Sequence, residues 1–155
     1  MLLYRVASKL YAADLSGRGA QMYGGRWNPK GLASLYTAES PSQALLEFLP
    51  HFPGACVPDD LMLVTINAPD DLSIYEIPLG GLPVDWDAKP TNPLTISLGR
   101  DWLLKCDTAA MRVPSVMLPL GKAWNLVLNP MHPQHGKLTV VEVTEISLDP
   151  RLIKT

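Results

Sequence analysis

The sequence predicts an α+β domain built on a mostly antiparallel sheet. Three observations predict it. Short apolar runs recur along the chain, each four to eight residues long in the manner of strands. Two segments carry helical spacing together with a helix start signal. Fifteen prolines and eleven glycines are scattered over 155 residues, so they punctuate many short elements and do not mark a linker. No internal repeat and no low-complexity segment is present.

The elements follow in order. Residues 2–7 read as an opening strand. Residues 14–31 read as loop, because Gly17, Gly19, Gly24, Gly25 and Gly31 fall within it. Leu32 to Thr37 is a short strand. The best-marked helix comes next, with Ser40 as N-cap, Pro41 at the first helical position and Gln43 completing an S-x-x-Q capping box. Ala44, Leu45, Leu46, Phe48 and Leu49 supply its apolar face, Pro50 limits it, and Glu47 lies on one edge of that face. Leu61 to Asn67 and Leu72 to Ile77 read as strands. Residues 78–95 are turn-rich. Thr95 to Cys106 reads as a helix. Arg112 to Leu118 reads as a strand whose Pro114 places it at an edge or a strand start. Trp124 to Leu128 and Leu138 to Ile146 complete the sheet.

Composition narrows the function. Hydrophobic residues make up 47% and charged residues 18%, as in a folded chain of one domain spanning 1–155. The net charge of −2 gives no electrostatic footprint for nucleic acid. No run is long enough to cross a bilayer, and the N-terminus lacks a signal-peptide pattern. Two cysteines, Cys56 and Cys106, make no disulfide framework, so a reducing cytoplasm is expected. His132 and His135 with those cysteines have no zinc spacing, and no metal is expected. Gly17-Arg18-Gly19 is no phosphate loop, because the following lysine and hydroxyl pair is missing.

The chemistry concentrates between residues 24 and 47. Arg26 sits in Gly24-Gly25-Arg26-Trp27-Asn28, Tyr36 follows on a short apolar run, and Glu47 lies on the marked helix. A fixed cation, an aromatic face and a carboxylate are the groups that grip a pyrophosphate nucleotide and break a glycosidic bond. Taken singly, each has a plainer reading. Arg26 ties two turns together, Glu47 is a solvated helix residue, Tyr36 packs in the core, and Ser115 is a turn hydroxyl. Trp27, Trp102 and Trp124 read as core, with Trp27 as a possible pocket wall.

With Arg26, Glu47 and Ser115 in view, the sequence resembles the RES domain. The resemblance runs through Tyr4-Arg5, the Gly24 to Asn28 segment with Gly31, and Tyr36 to Ser40. It continues through Ala44-Leu45-Leu46-Glu47, Trp102-Leu103, Val113-Pro114-Ser115, Asn125 to Pro130 and His132-Pro133. It lifts Arg26, Tyr36, Glu47 and Ser115 together above their plainer readings, and Arg5, Asn28, Asn129 and His132 less. It implies an ADP-ribosyltransferase-like fold in which small sheets flank an NAD cleft. It also implies the toxin half of a bacterial toxin–antitoxin pair, NAD as a consumed substrate with no permanently bound cofactor, an Xre-type helix-turn-helix antitoxin that occludes the site, and a homodimer. The proline-rich segment 78–93 is the expected dimer interface.

In that frame Arg26 grips the pyrophosphate with backbone N–H groups of Gly24 and Gly25 beside it, and Tyr36 stacks on nicotinamide. Glu47 stabilises the ribosyl cation or orients the acceptor, and Ser115 bonds the ribose or Glu47. Trp27, Asn28 and Asn129 are further NAD-contacting candidates. Three functions stay open: NAD hydrolysis or phosphorolysis, ADP-ribose transfer to a protein, and a non-catalytic module that acts only through its antitoxin.

Overall fold

The computed structural model describes residues 1–51, 58–118 and 121–152. Seven strands form the sheet: β1 (Leu2–Ser8), β2 (Leu35–Ala38), β3 (Leu61–Asn67), β4 (Ile74–Glu76), β5 (Ala110–Pro114), β6 (Trp124–Leu128) and β7 (Thr139–Glu145). Their order is β4-β5-β6-β2-β1-β3-β7, antiparallel except where β4 pairs with β5. The sheet is nearly two. β1 and β3 pair along seven residues, and β2 pairs with β6 along four, but β1 meets β2 only at Tyr4 and Ala38. Two small sheets thus join at a single residue pair.

Three α-helices accompany the sheet among the described residues: α1 (Arg18–Tyr23), α2 (Pro41–Phe48) and α3 (Pro93–Lys105). The first lies where loop was expected. Its six residues include no buried side chain, so it leaves no apolar period in the sequence. Gly17 and Gly24, both at positive φ, bracket it. α3 begins two residues before the expected start, because Asn92 caps it by accepting from Leu94 N–H at 2.9 Å and Pro93 takes the first position. Cys106 closes it in the left-handed conformation at φ 55°. Cys56 lies outside the described residues.

α2 starts as expected, with Ser40 Oγ accepting from Gln43 N–H at 3.2 Å. Two details differ from the sequence reading. Leu46 is exposed while Gln43 and Ala44 are the buried residues, so the helix does not bury its most apolar stripe. The Gln43 amide turns away from the cap and onto Glu47.

β5 runs from Ala110 and ends at Pro114, instead of spanning 112–118. It is an inner strand, yet the proline is harmless. Ser115 N–H donates to the Ala123 carbonyl. By alternation the Pro114 nitrogen faces the other side, where β4 has already ended opposite Arg112.

The sheet carries one core on each face. Leu3, Leu35, Val64, Ile66, Ala110, Leu126 and Leu128 pack on one side. Trp27, Trp102, Leu103, Met111, Val113 and Val127 pack on the other. The second core fastens α3 and the Arg26 loop to the sheet. The contact is close enough that a Cβ added at Gly99 would fall 2.5 Å from the carbonyl carbon of Trp27 and nearer still to its oxygen. A glycine inside a helix is unfavourable by itself. Here it admits the loop backbone.

Candidate active site

Cα partners in an antiparallel ladder present their side chains to the same face. Tyr36 partners Val127, and Ala38 partners Asn125. Val113 also partners Asn125, and Ser115 follows it by two residues. Tyr36, Asn125 and Ser115 therefore stand on the face that carries the Arg26 loop. Asn125 lies two residue pairs along the ladder from Tyr36, roughly 7 Å by strand rise.

α2 leaves the end of β2 after a two-residue turn and brings Glu47 to this place. Its Oε1 accepts three hydrogen bonds: from Ser115 Oγ at 2.7 Å, Asn125 Nδ2 at 2.6 Å and Gln43 Nε2 at 2.9 Å. Among the described residues Oε2 accepts none. Ser115 is fully buried, and its oxygen also accepts from Met117 and Leu118 N–H, at 3.0 and 3.3 Å. Its single proton is thereby directed to the carboxylate.

The Arg26 loop is organised from inside. Asn28 is fully buried and uses both polar atoms of its side chain. Its amide nitrogen donates to the carbonyls of Ala20, Pro29 and Leu32, and its Oδ1 accepts from Tyr36 Oη at 2.8 Å. Tyr36 Oη also accepts from Trp27 N–H at 3.0 Å. Part of Tyr36 stays accessible, but its hydroxyl lies so near Gly25 that a Cβ there would come within 2.6 Å of it. Burial raises the phenol well above its ordinary range, so it stays protonated and donating. The Gly25 N–H is taken by the Asn28 carbonyl and the Gly24 N–H by the Ala20 carbonyl.

Arg26 holds two carbonyls of the neighbouring turn, Trp86 at 2.5 Å and Ala88 at 3.2 Å. Two of its five N–H groups are used in this way. Burial lowers its pKa, and the negative charges of Asp87 and Glu47 oppose that effect. The guanidinium stays charged. The charge of Glu47 acts on it through space, and the Arg26 side chain itself is held by the 86–88 turn.

Residues 2–149 match the family described as the RES domain. The chain belongs to the RES domain family. Similar proteins include the "Prs ADP-ribosylating toxin" of Sphingobium sp. (strain YBL2), 41% identical over 92% of this chain and 89% of that protein. "Toxin Res" of Yersinia enterocolitica is 35% identical over 98% of this chain and 99% of that protein. Among solved structures, the M. tuberculosis MbcT–MbcA toxin–antitoxin complex matches with a TM-score of 0.70 and 19% identity, over 94% of this chain and 84% of that one. That likeness establishes a shared fold.

The RES domain face thus gathers Arg26, Tyr36, Glu47 and Ser115. The other candidates fall elsewhere or serve the frame. Trp27 is a buried core residue. Asn28, Gly24 and Gly25 build the loop from within. Asn129 lies at the far end of β6 and ties down the end of α3, donating to the Leu103 carbonyl at 3.0 Å. Arg5 anchors the Asp14 carbonyl at 2.6 Å, and His132 Nδ1 accepts from Gln134 N–H. A hollow of about 370 Å³ beside the loop is lined by Gly24, Gly25, Asn28, Lys30, Thr91 and neighbours, and not by Arg26, Tyr36, Glu47 or Ser115. Segment 78–93, expected at a dimer interface, supplies the carbonyls that hold Arg26.

Sequence reasoning missed Gln43, Asn125 and Gly99. From the sequence Gln43 reads as a capping-box residue and Asn125 as part of a strand and of the family resemblance, and Gly99 carries no signal of its own inside its helix. A four-residue spacing from Gln43 to Glu47 was the available signal for the first. Among the described residues no group of three or more metal-ligating side chains is placed to hold an ion, and no helix is long and apolar enough to cross a membrane.

Proposed function

We propose that this RES domain protein is the toxin of a bacterial toxin–antitoxin pair and cleaves NAD at the nicotinamide–ribose bond. One observation carries the proposal: a carboxylate with one oxygen saturated by three donors and the other without a donor among the described residues, on the same face as a charged arginine and a tyrosine ring. When the bond from ribose C1′ to nicotinamide breaks, its electron pair moves onto the pyridinium nitrogen and discharges it. Nicotinamide therefore leaves without a strong general acid. Positive charge grows on the ribosyl carbon, and the free Oε2 of Glu47 stabilises it or bonds a ribose hydroxyl. The N–H groups of Arg26 that have no partner among the described residues take pyrophosphate oxygens. The ring of Tyr36 offers a stacking face, its hydroxyl being committed to the loop.

A water or phosphate oxygen then bonds C1′, giving ADP-ribose with loss of the water proton, or its 1″-phosphate. NAD is depleted and growth stops. A second reading keeps the cleavage and makes a protein side chain the acceptor. The relative named as an ADP-ribosylating toxin favours it. We take the partner to be an Xre-type helix-turn-helix antitoxin covering the site, the protein to be a homodimer, and the compartment to be the cytoplasm.

The test incubates purified protein with NAD, with and without phosphate or cell extract, and follows nicotinamide release. Release without a protein acceptor supports the first reading. Release only with extract, with label passing to a protein, supports the second. No turnover under any of these conditions refutes both and leaves the non-catalytic module.

A further inference from the structure

Glu47 lies at the end of a short helix whose flanking leucine is exposed, where a free carboxylate would sample several rotamers. It does not wander, because three donors from three different elements meet one of its oxygens. Ser115 comes from the end of β5, Asn125 from β6 and Gln43 from the preceding turn of α2. The hydroxyl can yield its single proton. The two amides are independent of it, and each arrives with its own constraint. Gln43 is buried on α2, and its Nε2 also reaches Asn125 Oδ1 at 3.5 Å. Asn125 is fixed by the ladder on both sides, opposite Ala38 and opposite Val113. The amides thus form a relay from the sheet through Asn125 to the helix.

We infer that Asn125 and Gln43 are positioning residues that clamp Oε1 of Glu47 and aim Oε2 at the reacting ribosyl carbon, so that the sheet, acting through Asn125, sets the direction of the catalytic carboxylate jointly with its own helix. This rests on the NAD-cleaving reading above for the identity of the reacting carbon. It does not rest on it for the clamp. Asn125 donates the shortest of the three bonds and is the main member. A carboxylate displaced by about an ångström loses on the order of a hundredfold in rate. The loss falls on kcat, because the amides touch Glu47 and not the dinucleotide.

The experiment compares wild type with Asn125→Ala, Asn125→Asp and Gln43→Met in nicotinamide release from NAD, with thermal melting to confirm folding. Asn125→Ala is expected to lower kcat on the order of a hundredfold with KM within about threefold, and Gln43→Met to lower it by a smaller factor. Asn125→Asp is the diagnostic variant. Near pH 8 it sets a second carboxylate against Glu47 and abolishes turnover. As the pH is lowered the two carboxyls come to share a proton, the donor to Glu47 is restored, and part of the activity returns. Arg26, whose charge acts on Glu47, does not titrate in this range. Wild-type kcat in folded Asn125→Ala, or a pH profile of Asn125→Asp parallel to wild type, overturns the inference. A crystal structure of Asn125→Ala reads the clamp without turnover. If wild type cleaves no NAD, the functional reading fails, and the clamp stands or falls on whether the Glu47 carboxylate rotates in that structure. An unmoved carboxylate overturns it.

Discussion

Gly99→Ala sets local propensity against packing, and the two predict opposite signs. Gly99 lies inside α3, where alanine is favoured over glycine by about 1 kcal/mol. From the sequence alone the change should stabilise. In the structure the new Cβ would stand 2.5 Å from the Trp27 carbonyl carbon, where ordinary contact begins at 3.4 Å. The obstacle is backbone, so no side chain can swing aside. Either α3 or the Arg26 loop has to move by more than about 1 Å, because the carbonyl oxygen stands nearer still than the carbon. Overpacking of a well-filled site costs roughly 1–3 kcal/mol, and a backbone obstacle belongs at or above the upper end. Net of the helix gain, Gly99→Ala should destabilise by about 2 kcal/mol. For a chain of this size that lowers Tm by roughly 4–8 °C. The shift also carries Trp27 and its neighbours Arg26 and Asn28, so the proposed NAD cleavage should fall as well. Thermal unfolding by circular dichroism, with nicotinamide release at a temperature where both proteins are folded, measures both effects. A variant with an unchanged or raised Tm would refute the packing account and leave propensity as the rule at this position.

Glu47→Gln keeps an oxygen for the three donors but removes the charge. It should abolish growth arrest on induced expression while Tm stays within a few degrees, and toxic cells carrying the folded variant would reject Glu47 as the catalytic carboxylate. Tyr36→Phe leaves the Trp27 N–H and Asn28 Oδ1 without a partner. It should cost about 1–3 kcal/mol in urea unfolding, and a loss below about 0.5 kcal/mol would contradict the described loop. His135 is held below its ordinary value of 6.5 by burial, with its Nδ1 unpartnered and its Nε2 against the Leu15 carbonyl. The unfolded chain binds the proton more readily, so His135 contributes stability above that value and loses it as pH falls below. The urea midpoint should drop between about pH 7.5 and pH 5.5, and His135→Asn should flatten that slope. An unchanged slope in the variant would assign the pH dependence to other groups.

The legible parts of the fold were those governed by local rules. The Ser40-Pro41 start of α2 and the long strands β1, β3 and β7 carry caps and apolar patterns that need no distant partner. α1 was not legible, because six residues without a buried side chain leave no period to detect. The end of β5 was not legible either, since Pro114 reads as an edge signal until β4 is seen to stop short of it. Of the site, Arg26, Tyr36, Glu47 and Ser115 stood out through their spacing and resemblance. The donors on Glu47 did not, because Asn125 is seventy-eight residues away in sequence.

By itself the sequence determined the class of fold, the placement of Glu47 on a capped helix and the family to which the chain belongs. These follow from short-range periodicity, capping and ordered motifs, which are written in neighbouring residues. Only the tertiary structure decided what each polar group does. It bound Arg26 to the 86–88 turn, turned Asn28 and the Tyr36 hydroxyl inward to brace a loop, moved Asn129 to the end of α3 and set three donors on one oxygen of Glu47. A hydrogen bond is fixed by where its partner stands, and partners tens of residues apart meet only once sheet register and helix packing have put them there.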